Sequence, residues 1–352
     1  MTVITLSKQG WIAIFVLIFF YVLYKFGGLH DIEQLRGNVV GMRDVLAQCV
    51  YWTEEAGNAI KSRYANPSLN TRIKDSPIGP KNELLTDIDM ISHWVIVSGL
   101  TKVFPDLRVI SEEHPPVPLH QDLPQTEGFH SEVTSRLPDS DLFIPTSDLT
   151  VWVDPLDATQ ELTEGLLQYV TVMACVVLHG YPVIGVIHQP FQNRTYWAWQ
   201  NYAKSADLTE AITDSSALRQ SKLPNSTVSI ICSRSHLDDS LKTRMSKAFE
   251  PTPVNFIFAG GSGYKTISLL NGEAQLYVHP TSTRRWDICA PQAVLEAVGG
   301  HLTGLDGSRF TYGADAPARI PSTTGVFATA SNSAYNRWSG RLASLVSTLK
   351  SE

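Results

Sequence analysis

Thr150-Val151-Trp152-Val153-Asp154-Pro155-Leu156-Asp157-Ala158-Thr159 (TVWVDPLDAT) begins with four strand-forming residues and runs straight into two carboxylates. A buried strand that delivers Asp154 and Asp157 into the interior leaves two charges in need of a partner, because ionised carboxylates away from water are costly alone. A divalent cation supplies one. Pro155 stiffens the expected turn and the Leu156 carbonyl offers a third oxygen, and hard oxygen donors of this kind select Mg²⁺ over zinc. The competing reading is a plain Asp-Pro turn with Asp157 as a helix N-cap. It loses ground because other acidic residues fall at strand ends and helix starts in the same way: Glu112 follows the strand 107–110, and Asp287 is the apparent N-cap of a helix after Arg284-Arg285-Trp286.

Outward from this stretch, strands and helices alternate. Apolar residues at helical spacing from Asp31 to Ala65 (Ile32, Leu35, Val39, Met42, Val45, Leu46, Cys49) predict a long amphipathic helix, which Gly37 and Gly41 are placed to break. The segment 66–82, with Pro67, Pro77, Gly79 and Pro80, reads as a loop, and Thr86-Asp87 caps a helix carrying Ile91, Trp94, Val95, Val97 and Leu100. The stretch 114–149 reads as one long inserted loop. Strands follow at 170–178, 182–188 and 195–199, and then a polar, turn-like stretch at 207–225 serves as a lobe boundary. Beyond it come a strand at 228–232, a Gly260-Gly261-Ser262-Gly263 turn opening a helix from Tyr264, a strand at 275–279 and a helix 287–298 closed by Gly299-Gly300. The expectation is an α/β protein with an α+β first lobe (30–206) and an α/β second lobe (207–352).

Of 352 residues, 43% are hydrophobic and 18% charged, which suits a folded enzyme rather than a disordered chain. Net charge is −6 and no Lys/Arg run occurs, which excludes a nucleic-acid polymer as partner but not a small anion, since bound cations reverse the local sign. Cys49, Cys175, Cys232 and Cys289 form no C-x-x-C pair, and buried free thiols are expected over disulfides.

Trp11 to Tyr24 (WIAIFVLIFFYVLY) is an uninterrupted apolar run. Large aromatics and the absence of a small-residue cleavage site favour an uncleaved signal anchor (10–29) after a short cytosolic tail (1–9) over a cleaved signal peptide. Two glycosylation sequons, Asn193-Arg194-Thr195 and Asn225-Ser226-Thr227, point to a lumenal catalytic domain on a single-pass type II membrane protein.

Taken in order, Thr86-Asp87-Ile88-Asp89, Ser111-Glu112-Glu113, Asp154-Pro155-Leu156-Asp157-Ala158-Thr159 and Trp286-Asp287-Ile288-Cys289-Ala290, with Gly299-Gly300, resemble the motifs of the inositol monophosphatase-like superfamily. The resemblance spans about 31–349. It implies a layered αβαβα sugar-phosphatase fold and two or three Mg²⁺ ions held by Glu112, Asp154, Asp157, Asp287 and the Leu156 carbonyl. Asp89 and Thr159, with Glu112, would act on the attacking water in a two-metal hydrolysis. An upstream lysine of the superfamily corresponds to Lys74 or Lys81.

Within the superfamily, Trp152–Gly165 (WVDPLDATQELTEG) is similar to the bisphosphate nucleotidase branch. So are Cys232-Ser233-Arg234-Ser235-His236 and Gly260-Gly261-Ser262-Gly263-Tyr264-Lys265, which would hold the nucleotide with Ala158, Thr159, Ser235, His236, Gly261, Ser262 and Lys265. Taken alone, the Gly-rich segment is an ordinary turn and His236 a structural histidine. Ala158 departs from the Gly usual in cytosolic nucleotidases, and with the anchor it resembles the Golgi-resident members. The implied activity is removal of the 3′-phosphate of adenosine 3′,5′-bisphosphate in the Golgi lumen, where sulfotransferases release it. Lithium sensitivity and a homodimer are further implications. Two alternatives stay open: an inositol phosphate or polyphosphate substrate, and a membrane-tethered nucleotide binder without turnover.

Overall fold

A computed structural model describes residues 21, 39–65, 71–74, 83–114, 130–137, 139–218, 227–235 and 238–349. In chain order the first half holds β1 (Val39–Gly41), α1 (Met42–Tyr64), β2 (Thr71–Lys74), β3 (Glu83–Thr86), α2 (Asp87–Val103), β4 (Arg108–Ser111), α3 (Ser131–Arg136) and β5 (Phe143–Pro145). Then follow β6 (Leu149–Asp157), α4 (Thr159–Thr163), β7 (Thr171–Leu178), β8 (Tyr181–Gln189), β9 (Arg194–Trp199), β10 (Ala203–Lys204) and α5 (Ala206–Leu218). The remainder is β11 (Val228–Ser233), α6 (Asp239–Phe249), β12 (Val254–Ala259), α7 (Ser262–Leu270), β13 (Leu276–His279), β14 (Thr283–Arg284) and α8 (Arg285–Glu296). It closes with β15 (His301–Thr303), β16 (Arg319–Ile320), β17 (Val326–Thr329) and α9 (Asn332–Leu349).

Two large sheets stack in this fold. The first is six-stranded, in the order β10-β9-β8-β7-β6-β4, antiparallel except where β4 runs parallel to β6. The second is five-stranded, β12-β11-β13-β17-β15, with parallel pairing around β11. Strand alternation feeds separate cores. Val228 and Ile230 of β11 and Leu276 and Val278 of β13 face an outer core with α6 and α9, whereas Ile231 and Tyr277 face inward. The inner core lies between the sheets and contains α7 and α8. Helices α1 and α2 cover the far face of the six-stranded sheet through Leu46, Trp52, Ile88 and Ile96. The layers therefore read helix, sheet, helix, sheet, helix.

Several local expectations change. Of the helix expected from Asp31 to Ala65, residues 31–38 lie outside the described residues, Val39–Gly41 form β1, and α1 begins after Gly41, where the Asp141 carboxylate accepts the Arg43 N–H at 3.0 Å and so caps it from a distant loop. Within the expected loop 66–82, β2 pairs with β3 from Thr71↔Thr86 to Lys74↔Glu83; flanking prolines hide so short a strand. The insertion 114–149 is not structureless, since α3 and β5 form and β5 pairs with β1. The turn-like stretch 207–225 begins as α5, because Leu208 and Ala211 find an apolar seat and Ser205 Oγ accepts the Leu208 N–H. Strand β12 was not anticipated at all. Its residues, VNFIFA, are mainly strand formers, and it pairs in parallel with β11.

The cysteine expectation holds for Cys49 and Cys232, which are buried free thiols, but Cys175 and Cys289 form a disulfide. Spacing gave no hint of this, because 114 residues separate them and only the packing of α8 on β7 brings their Cα atoms to 5.7 Å. The apolar run 11–24 lies outside the described residues except for Tyr21. Among the described residues no helix is long and apolar enough to cross a membrane.

Candidate active site

The geometry begins with β6. Side chains three apart on a regular strand point to opposite faces. Here β6 pairs with β7 through Asp154↔Met173, the register then shifts, and Asp157 pairs with Thr171. One extra residue in the bulged strand returns Asp157 to the face of Asp154. Pro155 sits inside the bulge, where its missing N–H is tolerated, and its carbonyl accepts from Ser92 Oγ at 2.5 Å. The expected turn is thus a bulged strand, and Asp157 is not a helix cap. Ala158 takes that place with φ +71, before the single-turn helix α4.

A cleft of about 240 Å³ opens there, lined by Glu112, Asp154, Leu156, Asp157, Thr159 and Asp287 among others. Asp287 arrives from the first turn of α8, which packs between the two sheets. It is the third residue of α8 rather than its N-cap; its Oδ2 accepts the Arg284 N–H at 2.8 Å and the Thr283 hydroxyl at 2.5 Å. Asp157 is held similarly, its Oδ2 accepting from Gly263 N–H at 2.8 Å and Thr171 Oγ1 at 3.2 Å. In both carboxylates these donors converge on one oxygen, Oδ2. Burial, together with the neighbouring Asp157 charge, outweighs these hydrogen bonds and pushes the Asp287 carboxyl up to about 6; burial raises Asp157 as well, against the pull of Lys265 and the Gly263 amide.

These donors fit Mg²⁺: four carboxylates and a carbonyl neighbour, all oxygen, line one cleft whose burial disfavours bare charge. Among the described residues, no three acidic, His or Cys side chains already stand as a closed cation cage.

Thr159 Oγ1 donates to Asp89 Oδ1 at 2.9 Å, and Asp89 is buried in the first turn of α2. Asp87, two residues earlier, instead meets Arg63 at 3.5 Å. Ala158, Ser235, Gly261, Ser262 and Lys265 all line the same cleft. Lys265 is 4% exposed, with Nζ 5.4 Å from the centre of the Tyr277 ring; burial lowers its pKa while Asp157 and Glu161 hold it up. His236, Lys81 and Asn225 lie outside the described residues, and Lys74 falls on β2. Asn193 is exposed in the β8–β9 turn with φ +52.

Sequence reasoning missed Ser92, Thr171 and Thr283, whose hydroxyls hold the carboxylates and the bulge, and Glu161, which lines the cleft. Ser92 and Thr171 carry no local signal, since their partners lie on another element, whereas Thr283 stands only four residues before Asp287.

The profile of the inositol monophosphatase family matches residues 42–339. A relative named putative inositol monophosphatase 3 from Drosophila pseudoobscura pseudoobscura is 35% identical over 314 residues, 86% of this chain and 85% of its own. The Golgi-resident adenosine 3′,5′-bisphosphate 3′-phosphatase of Mus musculus is 32% identical over 282 residues, covering 78% and 75%. Among solved structures, CysQ from Bacteroides thetaiotaomicron superposes with TM-score 0.55 at 20% identity over 82% of this chain and 97% of that one. An IMPase/NADP phosphatase complexed with Mg²⁺ and phosphate gives TM-score 0.54 at 15% identity, covering 84% and 92%. With the matched profile spanning most of its length and the relatives covered over three quarters of theirs, this chain belongs to the inositol monophosphatase family of phosphatases.

Proposed function

We propose that the protein is a Mg²⁺-dependent phosphomonoesterase that removes the 3′-phosphate of adenosine 3′,5′-bisphosphate. The observation that carries the hydrolytic part is the Thr159–Asp89 hydrogen bond, 2.9 Å long, at the edge of the carboxylate cleft. Because Thr159 donates its proton to Asp89, its oxygen lone pairs are left to accept a proton from water. Asp89 orients the hydroxyl, and as Thr159 takes a proton from the water it passes its own to the Asp89 carboxylate, which ends neutral. Glu112, Asp154, Asp157, Asp287 and the Leu156 carbonyl are the residues that would hold the metal. Bound Mg²⁺ would lower the pKa of water and stabilise charge on the phosphate and the leaving oxygen.

The nucleotide part rests on the Ser233–Ser235 and Gly260–Lys265 segments that line the cleft, and on the name of the mouse relative. The relatives named inositol monophosphatase 3 keep an inositol phosphate as the rival substrate. A Golgi-lumenal location on a signal anchor is supported by the exposed Asn193 turn and by the Cys175–Cys289 disulfide, which suits an oxidising compartment.

The decisive assay is phosphate release by the full chain from adenosine 3′,5′-bisphosphate beside inositol phosphates, with and without Mg²⁺. Asp154→Asn should abolish turnover while leaving the fold intact; substantial activity at saturating Mg²⁺ would reject the metal assignment. For the compartment, Asn193 should carry a glycan and the domain should resist external protease in sealed microsomes. Full digestion with no glycan would put the domain on the cytosolic face.

A further inference from the structure

Arg234 stands between Ser233 and Ser235, both of which line the cleft, and reaches across to α4 on the opposite side. Its Nη1 donates to Glu161 Oε1 at 3.4 Å and to Glu164 Oε2 in a shorter contact. Both bonds use the same nitrogen. Among the described residues, Nε and Nη2 of Arg234 make no hydrogen bond, although a guanidinium presents its donors as a planar fork suited to two anionic oxygens. The side chain is 31% exposed, so the unused edge is reachable from solvent.

The two carboxylates differ in freedom. Glu161 is 6% exposed and wedged against Gly260, where an added Cβ would come within 2.3 Å of its Cδ. Glu164, just past α4, is 35% exposed and, among the described residues, its carboxylate is otherwise tied only to the Gln160 amide, which donates to it at 2.8 Å. Glu161 is therefore a fixed anchor for the guanidinium, and Glu164 a carboxylate that can swing into water. Lys265, which lines the cleft, is buried beside Asp157 and Asp287.

Building on the phosphatase reading above, we propose that Arg234 is the receptor for a second phosphate of the substrate, the one that is not hydrolysed. When this phosphate arrives it displaces Glu164 and takes the Arg234 fork, while Glu161 keeps the guanidinium in place. A phosphate dianion competes well here because it offers more charge and a bidentate match. Arg234 would then make the enzyme prefer bisphosphates over monophosphates, whatever the scaffold between the phosphates.

The test compares substrate pairs with the full chain in Mg²⁺: adenosine 3′,5′-bisphosphate against adenosine 3′-monophosphate, and inositol 1,4-bisphosphate against inositol 1-phosphate. In Arg234→Met, kcat/KM on the preferred bisphosphate should fall about 10- to 100-fold more than on its monophosphate partner, the range for losing a hydrogen bond to a charged group. Glu164→Gln, a rim change that should not disturb folding, should lower the KM for the bisphosphate. Equal losses on both members of the pair would make Arg234 a clamp between the two sides of the cleft and overturn the proposal, as would a Glu164→Gln enzyme with a raised bisphosphate KM. Should wild type turn over only the inositol pair, the nucleotide reading falls and the Arg234 inference is decided on that pair alone.

Discussion

Gly261→Ala is the sharpest test of how the two sides of the site are held together. Gly261 has φ +61 and ψ 140, a region that side chains rarely adopt, and it forms the N-cap of α7. Holding a non-glycine residue there costs roughly 1–3 kcal/mol. The new Cβ would also meet the Tyr169 carbonyl oxygen at 2.8 Å, Asp157 Oδ2 at 3.0 Å and the Ala158 Cβ at 3.4 Å. Two of these are fixed by backbone, so relief requires α7 to move, adding roughly 1–3 kcal/mol of overpacking. The sum, about 2–6 kcal/mol, corresponds to a fall in Tm of roughly 4–24 °C at about 2–4 °C per kcal/mol. Motion of α7 also pulls the Gly263 N–H from Asp157, and a shift of about 1 Å at such a site costs on the order of 100-fold in rate. Thermal unfolding and phosphate release measure the two effects. Gly313→Ala is the control, since a Cβ there meets nothing within 4 Å and its φ is not positive. A Gly261→Ala protein that matches the Gly313→Ala protein in both Tm and kcat would refute this account of the cleft.

Thr159→Ala removes the hydroxyl that meets Asp89 and should lower kcat by about 10²–10⁴-fold with its Mg²⁺ dependence unchanged, as read from Mg²⁺ titrations of the residual rate. Ala158→Gly should be mildly stabilising, because a left-handed alanine costs ~1–2 kcal/mol and glycine's extra chain freedom returns only ~0.5–1 kcal/mol of that; a lower Tm would contradict the φ of +71. His130 is raised above its ordinary pKa of 6.5 mainly by its hydrogen bond to Glu54, 2.9 Å away, so the pair's stabilisation is complete below about 6.5 and disappears as pH rises through the folded value. Denaturant unfolding of wild type and His130→Gln should therefore differ by about 1–2 kcal/mol at low pH, near 5.5, and by less at alkaline pH. Burial lowers nearby His188 to about 4, but it is common to both proteins and cancels in the difference. A difference independent of pH would show that the pair is not charged.

What the sequence determined by itself is the chemistry and its order along the chain. The strand Thr150–Val153 running into Asp154 and Asp157, the acids at Glu112 and Asp287, and the Gly-rich entry to α7 are local statements, since propensity and residue type are local. What only the tertiary structure decided is how these parts meet. A one-residue bulge put Asp154 and Asp157 on one face, where alternation alone would have separated them. Sheet order brought Thr159 to Asp89, 70 residues away, and left Asp87 to Arg63. The packing of α8 on β7 joined Cys175 to Cys289 and brought Asp287, on the first turn of α8, to the cleft. The hydroxyl of Thr171 became a support for the Asp157 carboxylate on the same basis. Such contacts depend on strand register and layer stacking, which arise from the burial of whole faces and not from any short run of residues.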